Sequence, residues 1–371
     1  MNCYLQEYVG YKYKLAVYTD CPDDLDETAI NGEEHVSFAN HYLIFSSGAR
    51  LYVSREQTKA FFLQRTYGDV LEFLPNGVVN LLYDVSAEDN LLFVTPRCSS
   101  NCIMCPSSET SRRETAQTEE QLLYFVSLLP DRLSHITVSG GEPFMLGENL
   151  LNILDALKEH DKNAGVLLLS NGRAFCLPEI AKKFSRCAPD STIVGIPIHG
   201  YSALTHDNIT QSPGSFAQTI QGIHNLLAHK CHVEIRIVVS KLNYTFINEI
   251  TDFLINEFRG LLRVIFIGLE MTGNAALNNK DVWIPYTTSF NSIKDSIIRL
   301  INSNVTVSLY NYPLCTVDSA FWPICAKSIT DYKISFSDSC GKCTIYDSCG
   351  GVFKSSLHYA KDELKPFVQG E

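Results

Sequence analysis

The stretch HITVSGGEPFMLGENLLNILDALKEH, residues 135–160, contains one complete unit of the pattern that decides the fold. HITVS predicts a short strand, SGGEP a polar loop, and NLLNILDALKEH an amphipathic helix. The same order of apolar strand and amphipathic helix recurs on both sides of this stretch. It predicts βαβ units and a parallel sheet that is covered by helices on both faces.

The alternation extends from about residue 91 to residue 311. The predicted strands are LLFVT, HITVS, VLLLS, TIVGIPI, VEIRIVVS, RVIFIGL and VTVSLYN, and the predicted helices between them are EEQLLYFVSLL, NLLNILDALKEH, LPEIAKKF, SFAQTIQGIHNLLAHK, FINEITDFLINEF and SFNSIKDSIIRLINS. About six βα units are too few for a closed eight-fold barrel, so we predict an open or partial barrel. In such parallel architectures, ligands bind at the carboxyl ends of the strands.

The two flanking regions differ from this core. Residues 1–90 contain short β-type segments separated by turns such as SSG and PNG, and we predict a β-rich region there. It either recognises a peptide or partner by strand addition or packs against the barrel. In residues 312–371 the periodicity fades and cysteines dominate, which predicts a small module held together by metal.

Composition limits the function classes. The chain has 371 residues, of which 45% are hydrophobic and 19% charged, as in a soluble globular protein. Its net charge of −11 argues against a strongly basic nucleic-acid surface. No signal sequence is recognisable at the start, and the longest apolar run, LLRVIFIGL, is too short to span a membrane. We expect a cytoplasmic protein with neither nucleic acid nor membrane as a partner.

The thirteen cysteines are grouped rather than evenly spread. Without a secretory signal, reduced thiols are expected, so the grouping carries the information. Five are scattered singly and are predicted to be buried structural cysteines, namely Cys3, Cys21, Cys176, Cys187 and Cys231. The remaining eight form two groups: first Cys98, Cys102 and Cys105, then Cys315, Cys325, Cys340, Cys343 and Cys349.

The first group lies in CSSNCIMC, residues 98–105, directly after the strand LLFVT. Thiolates favour zinc and iron–sulfur clusters, and both a closed zinc site and an ordinary cluster take four protein ligands. Three thiolates at the functional edge of a sheet suggest a four-iron cluster with one iron open to a small molecule. A zinc or ferredoxin-like site completed by a distant residue is the alternative, and spacing alone leaves both open.

The loop SGGEP follows the next strand and reaches the same edge. Gly140 and Gly141 would let the backbone approach a ligand closely, and Glu142 offers a carboxylate to a cationic group. A lone GGEP could be only a turn. Together with CxxxCxxC one strand earlier, it favours a binding site.

This pair of motifs resembles the radical S-adenosylmethionine (SAM) superfamily. The resemblance implies a partial (β/α)6 barrel and a [4Fe-4S] cluster held by Cys98, Cys102 and Cys105, with SAM chelating the open iron. It further implies that the segment Gly140, Gly141, Glu142 and Pro143 contacts the methionine amino group of SAM. The family usually has an aromatic residue before the third cysteine, where this chain has Met104.

Other positions match the family less closely. Ser170 and Asn171, in LLLSNG, correspond to ribose contacts, although an Asn-Gly turn explains them equally. Arg236 interrupts an apolar strand and either meets the SAM carboxylate or forms a structural ion pair. Glu270, in FIGLEMTG, matches a segment that borders adenine only loosely.

The stretch PIHGYSALTHD offers His199, His206 and Asp207 after the fourth predicted strand. These residues could line a substrate pocket or move protons. The alternative is a polar loop with a satisfied histidine. No catalytic acid or base can be assigned from the sequence.

In the second cysteine group, Cys315, Cys340, Cys343 and Cys349 form a set of four possible ligands. A CxxC with further cysteines is typical of zinc ribbons as well as of clusters. Many peptide-modifying radical SAM enzymes carry an auxiliary [4Fe-4S] cluster in such an extension, which the resemblance implies here. Structural zinc and a metal-free arrangement remain alternatives, and Cys325 could replace one ligand.

A closer resemblance is to the His-Xaa-Ser system radical SAM maturases, specifically the C-type member. It rests on LLFVTPRCSSNCIMCPSSE, VEIRIVVSKLN and the sequence YPLC…SITDYK…CGKC…CGGVF. It implies modification of a peptide with His-Xaa-Ser repeats, a partner radical SAM protein and an external electron donor. The alternatives are radical SAM chemistry on a small molecule and a non-catalytic, zinc-stabilised binding protein.

Overall fold

The computed structural model of the chain describes residues 1–10, 12, 14–19, 34–113 and 117–368. Cys21, predicted to be a buried structural cysteine, lies outside these residues. Within them, the strands form a seven-stranded, an eight-stranded and a two-stranded sheet.

The seven-stranded sheet is the β-rich region predicted near the N-terminus. Its order is β1-β7-β6-β2-β3-β4-β5, and all neighbours are antiparallel except β2 and β3. The strands are β1 (Asn2–Tyr4), β2 (Lys14–Tyr18), β3 (His35–Ala39), β4 (Tyr42–Phe45), β5 (Arg50–Tyr52), β6 (Val70–Phe73) and β7 (Val78–Tyr83). Among the described residues of this region, helix α1 (Glu56–Leu63) was not predicted, because the sequence indicated mainly short strands.

The eight-stranded sheet is parallel, and its strands follow one another in chain order. They are β8 (Asp89–Thr95), β9 (His135–Gly140), β10 (Val166–Leu169), β11 (Ile193–Pro197), β12 (His232–Val239), β13 (Arg263–Gly268), β14 (Thr306–Tyr310) and β15 (Cys325–Ala326). The helices after β8 to β13 are α2 (Glu119–Ser127), α3 (Glu148–His160), α4 (Pro178–Cys187), α5 (Ala203–Thr210), α6 (Ser215–Ala228), α7 (Ile247–Glu257), α8 (Gly273–Leu277), α9 (Asn279–Val282) and α10 (Tyr286–Asn302). The six predicted βα units are therefore present, and β14 and β15 extend the sheet.

Among the described residues, helices cover only one face of this sheet. Side chains alternate along each strand, so Val94, Val138 and Phe266 are fully buried in the main apolar core. The side chains between them point the other way, and on this second face Thr137, Leu167 and Leu169 line a cavity. The prediction that both faces are covered is wrong, because the second face lines an open lumen.

The lumen shows that the sheet is curved into a partial barrel. A cavity of about 690 Å³ is lined by Asp89 and His135 from one end of the sheet and by Tyr310 and Ala326 from the other. The two ends of the sheet therefore approach each other across the cavity, but they do not pair, and β8 and β15 are the edge strands. This arrangement confirms the predicted fold class.

The seven-stranded sheet packs on the barrel. Leu15, Val17 and Val70 belong to the same apolar core as the barrel strands. The hydroxyl groups of Tyr83 and Ser134 are 3.2 Å apart, which adds a polar contact between the two regions. These contacts favour the packing alternative for the N-terminal region.

The C-terminal region has little regular structure, as predicted. It contains β16 (Ile334–Ser335), β17 (Val352–Phe353), the short helix α11 (Leu357–Ala360) and several 3₁₀ turns. Val352, Ala360 and Leu364 anchor it to the barrel core.

No helix in the described part of the chain combines the length and the apolar character needed to cross a membrane.

Candidate functional site

The motifs predicted to bind cofactors meet at the carboxyl ends of β8, β9 and β10. The cysteine loop follows β8, GGEP begins at the end of β9, and Ser170 and Asn171 follow β10. These three strands are direct neighbours in the parallel sheet. Parallel pairing therefore brings distant parts of the sequence to one edge.

The two glycines of GGEP allow backbone to pack on backbone. The amide of Gly141 donates to Thr95 O at 2.7 Å, and the amide of Glu142 donates to Arg97 O at 2.8 Å. A Cβ atom at Gly140 would lie 2.3 Å from Thr95 O, and one at Gly141 would lie 2.4 Å from Arg97 O. Glycine is thus required by the stem of the cysteine loop, a reason that the sequence did not reveal.

Glu142 is a buried carboxylate with a fixed orientation. It is 3% exposed, and it accepts hydrogen bonds from the Asn171 amide at 2.6 Å, the Ser170 hydroxyl at 2.8 Å and the Phe144 amide at 3.1 Å. Burial raises its pKa, while the three donors favour the ionised form. Glu142 therefore ties the end of β9 to the end of β10, and Pro143 starts the 3₁₀ turn that follows.

The cysteine loop is held from its outer side. The amides of Asn101 and Ile103 donate to Thr210 O and Ile209 O, each at 3.0 Å. Asn274 donates through Nδ2 to Cys102 O at 3.0 Å. Met104 is 4% exposed and lies in a small apolar cluster, so it supplies the apolar cover expected at this position.

The three thiols suit a cationic metal centre. Cys98, Cys102 and Cys105 are free and half-buried, and the Ser100 amide donates to Cys98 Sγ at 3.5 Å. Burial and the nearby thiols of Cys105 and Cys98 raise the pKa of Cys102 to about 12. Three thiolates so close together need a compensating positive charge, which a bound cluster provides.

The same residues do not form a site for a single metal ion. Among the described residues, no three His, Cys, Asp or Glu side chains lie close enough together to bind one ion. A cubane differs because each cysteine binds a separate iron. The residues present fit such a cluster.

Arg236 lies in the lumen wall and forms an ion pair. Its Nη1 is 2.6 Å from Glu234 Oε1, and Nε of Arg263 is 2.6 Å from Glu234 Oε2. Glu234 is fully buried, so the two guanidinium groups compensate its charge. The structure thus contains the ion pair weighed as an alternative. Glu270 lines the same lumen and pairs with Lys333 at 3.1 Å.

The predicted loop with His206 and Asp207 is helix α5 instead. Ser202 and Thr205 form a capping box at the start of α5, a pattern that was not recognised from the sequence. Asp207 accepts hydrogen bonds from the Gly214 amide at 2.6 Å, the Phe216 amide at 2.7 Å and the Ser215 hydroxyl at 2.8 Å. Asp207 therefore caps the start of α6.

His199 and His206 form a buried pair beneath this helix. The His199 amide donates to His206 Nδ1 at 3.3 Å, whereas His199 Nδ1 has no partner among the described residues. Burial lowers the pKa of His199 to about 3 and that of His206 to about 4. Both rings are neutral at physiological pH, so neither serves as a cationic acid there.

The four cysteines predicted as a second ligand set line one pocket. Cys315, Cys340, Cys343 and Cys349 line a small pocket of about 20 Å³, together with apolar side chains such as Phe336. Burial raises the pKa of Cys315 to about 11. The amides of Leu314 and Gly351 donate to Cys349 Sγ at 3.5 and 3.4 Å, as expected around a thiolate.

Cys325 lies beside this pocket and does not line it. It starts β15, packs against the barrel core, and its thiol donates to Phe321 O at 3.6 Å. Burial is the main cause, and the nearby Cys349 the second, of a rise in the pKa of Cys325 to about 12. The structure separates Cys325 from the other four.

Several residues that hold the cysteine loop were not singled out from the sequence, among them Asn274, Arg112 and Arg173. Arg173, directly after the Ser170–Gly172 turn, contacts the cysteine loop through its guanidinium group. The available signal was a charged residue immediately after two predicted ligand contacts, but no motif includes it.

Comparison with protein-family models gives one match. Residues 92–254 match the model of the radical SAM superfamily. A curated relative, the AdoMet-dependent heme synthase of Methanosarcina barkeri (strain Fusaro / DSM 804), is 29% identical over 162 residues. This match covers 43% of each chain, so the chain spans less than half the length of that relative.

Solved structures resemble the chain at low identity. Streptococcus suis SuiB bound to precursor peptide SuiA has a TM-score of 0.48 and 12% identity, covering 62% of this chain and 49% of that one. A radical SAM methyltransferase from Sphaerobacter thermophilus has a TM-score of 0.45 and 16% identity, covering 65% and 72%. The family model, with the motifs it spans, supports the radical SAM superfamily as the family of residues 92–254.

Proposed function

We propose that the chain is a radical SAM enzyme that modifies a peptide. Cys98, Cys102 and Cys105 would hold a [4Fe-4S] cluster with one open iron. Residues 140–143 would receive the methionine part of SAM, with Ser170 and Asn171 toward the ribose. Arg236 would face the SAM carboxylate from the lumen.

The observation that carries this proposal is the convergence of the three loops. Asn171 joins them, because its amide donates to Glu142 and its Nδ2 donates to Ser99 Oγ at 3.1 Å. If each of the three loops had only its own structural role, no hydrogen bonds between the loops would be needed. Such bonds are expected of a site whose one ligand touches all three loops.

The chemistry then divides between cofactor and protein. When bound, the cluster supplies the electron that cleaves SAM into methionine and a 5′-deoxyadenosyl radical. The chain holds the loops in register through Glu142 and limits water around the cysteines with the apolar cluster of Met104, against which Cys102 packs. The lumen, with about 690 Å³ of space, offers room for a substrate segment.

The second cysteine set belongs to the proposal as a site for an auxiliary [4Fe-4S] cluster. The shared pocket of Cys315, Cys340, Cys343 and Cys349 supports it. Its expected role is to bind the substrate or to accept an electron after bond formation. Zinc, the alternative occupant, would need at least three ligands around one ion, and no group of described His, Cys, Asp or Glu side chains provides them.

The peptide target rests on the sequence resemblance to the His-Xaa-Ser system maturases. We propose a substrate with His-Xaa-Ser repeats, a partner radical SAM protein and an external electron donor. The Cys-rich C-terminal region supports a peptide substrate, because it is the part that such maturases share beyond the barrel.

A small-molecule substrate is the second candidate. The observation that favours it is the 29% identical relative, which is named as a heme synthase. The two candidates differ in what is modified, so parallel assays with a repeat-bearing peptide and with porphyrin substrates separate them.

The test is anaerobic reconstitution followed by an assay for 5′-deoxyadenosine. Wild type is expected to produce it from SAM and dithionite, whereas the triple variant Cys98/Cys102/Cys105→Ala should produce none. Cys187→Ala is the matched control, since Cys187 lies on α4 outside the site. Undiminished 5′-deoxyadenosine in the triple variant would refute the assignment. Co-expression with a repeat-bearing peptide should then reveal a change in peptide mass.

A further inference from the structure

Arg173 contacts the residues that separate Cys98 from Cys102. It begins the 3₁₀ turn Arg173–Cys176 that follows β10. Its Nη1 lies 2.9 Å from Ser99 O and 3.1 Å from Ser100 Oγ, both as hydrogen-bond acceptors. Cys98 and Cys102 flank this spacer, so Arg173 acts directly on the spacing of the first two thiols.

The same guanidinium group is also held by a separate part of the barrel. Nη1 also lies 2.8 Å from Ser212 Oγ, and Nε donates to Gln218 Oε1 at 2.7 Å. Ser212 lies between α5 and α6, and Gln218 lies on α6. The guanidinium group therefore links the cysteine loop to the fourth βα unit, and its planar fork suits several acceptors at once.

Arg112 holds the spacer through different atoms. Its Nη1 donates to Ser100 O at 2.7 Å, and its Nη2 donates to Asn101 Oδ1 at 2.6 Å. Each of the three spacer residues thus accepts a bond from an arginine. The polar spacer Ser-Ser-Asn supplies side-chain acceptors for these bonds.

Arg112 and Arg173 both bring positive charge to the cysteine loop through these hydrogen bonds. Reduction adds a negative charge to a site that already contains three thiolates, and the reduction potential depends on nearby charges and hydrogen bonds. An arginine remains protonated at every relevant pH, so its charge is permanent. The positive charge of Arg173 also stabilises the ionised form of the buried Glu142 carboxylate.

We propose that Arg173 is a positioning residue for the cluster: it fixes the Cys98–Cys102 spacer and raises the reduction potential of the cluster. This inference rests on the proposed function, because it presupposes a cluster at these cysteines. It adds a residue that no matched motif contains and a way in which the chain eases electron entry.

The test compares Arg173→Gln, which removes the charge, with Arg173→Lys, which keeps the charge but loses the fork. Arg259→Gln is the matched control, since Arg259 is exposed, follows α7, and its guanidinium donates to Ile255 O of that helix. For each variant, the midpoint potential of the cluster is measured by EPR-monitored titration. The signal of the Cys98/Cys102/Cys105→Ala variant is subtracted to remove any second cluster. Loss of iron to a chelator is followed in parallel.

Arg173→Gln should shift the potential to more negative values and lose iron several-fold faster than wild type. Arg173→Lys should keep a potential close to wild type but also lose iron faster. An unchanged potential in Arg173→Gln, or unchanged iron loss in both variants, would overturn the inference. If Arg173→Gln fails to fold, Arg173→Lys decides by its iron loss alone. Wild-type protein that holds no iron or sulfide would instead refute the proposed function itself.

Discussion

At the scale of single residues, the site depends on close backbone contacts as much as on side-chain chemistry. Gly141 shows this most clearly, because a side chain there would meet the carbonyl oxygens of Pro96 and Arg97. A motif that resembles a ligand loop is therefore also the support of the cysteine loop. Glu142 combines both roles, since it is placed by the same turn and joins β9 to β10.

We predict that Gly141→Ala destabilises the protein and disrupts the site. The new Cβ would lie 2.4 Å from Arg97 O and 2.5 Å from Pro96 O, and neither backbone atom can move away alone. The free energy of unfolding should fall by about 2 kcal/mol or more. Urea denaturation and calorimetric SAM titration measure the two effects.

Gly260→Ala is the control for this prediction. Gly260 has φ of +88°, and a Cβ added there would have no atom within 4 Å beyond its chain neighbours, so the substitution adds backbone strain without a clash. It should cost about 1 kcal/mol and leave SAM binding unchanged. Equal losses in the two variants would show that packing at Gly141 has no special role.

At the scale of elements, α5 shows how a short polar helix escapes detection by sequence. Its residues ALTHDNIT lack a continuous apolar stripe, and its start is recognisable only from the Ser202–Thr205 box. The strand β15 was missed for a different reason, because two residues are too few for any pattern. By contrast, the longer helices carry clear apolar stripes, and each predicted one is present.

The cap that Asp207 provides for α6 gives a prediction at this scale. Burial alone would raise the pKa of Asp207, but hydrogen bonds from Phe216, Ser215 and Gly214 hold it below its usual value of 3.8. Asp207→Ala should lower the free energy of unfolding by about 1 kcal/mol. Chemical denaturation at pH 7 checks this, with the exposed Asp131→Ala as the control.

The pH dependence of this effect follows from the depressed pKa. A carboxylate of this kind stabilises the fold above its unfolded pKa, and the contribution is lost as the pH falls through the folded pKa. The difference between wild type and Asp207→Ala should therefore be equal at pH values of about 6 and about 8, both far above the unfolded pKa. A difference that shrinks between these two values would contradict the assigned cap.

At the scale of the whole molecule, the sequence predicted the barrel better than its lumen. Apolar strands and amphipathic helices indicated six βα units, and the carboxyl edge followed from parallel topology. The open inner face was not predicted, because Leu167 and Leu169, which line the lumen, have the sequence pattern of core residues. The contacts of Arg173 form only where loops distant in the sequence meet. The spacing of residues along the sequence does not predict such contacts.

The C-terminal region provides a prediction about the molecule as a whole. Residues 312–368 contain only short elements around the four-cysteine pocket, so a metal centre should supply much of their order. Removal of iron should increase hydrogen exchange there far more than in β9 to β13. Mass-spectrometric hydrogen exchange on holo and chelated protein measures this. Equal protection in both forms would mean that apolar packing alone holds the region.

The central claim is that Cys98, Cys102 and Cys105 hold a cluster whose open iron binds SAM. The most direct measurement is the EPR spectrum of the reduced, reconstituted protein with and without SAM. We predict a SAM-dependent change that persists in Cys340/Cys343→Ala and disappears in Cys98/Cys102/Cys105→Ala. A spectrum that does not respond to SAM, or a response that survives the triple substitution, would contradict the account.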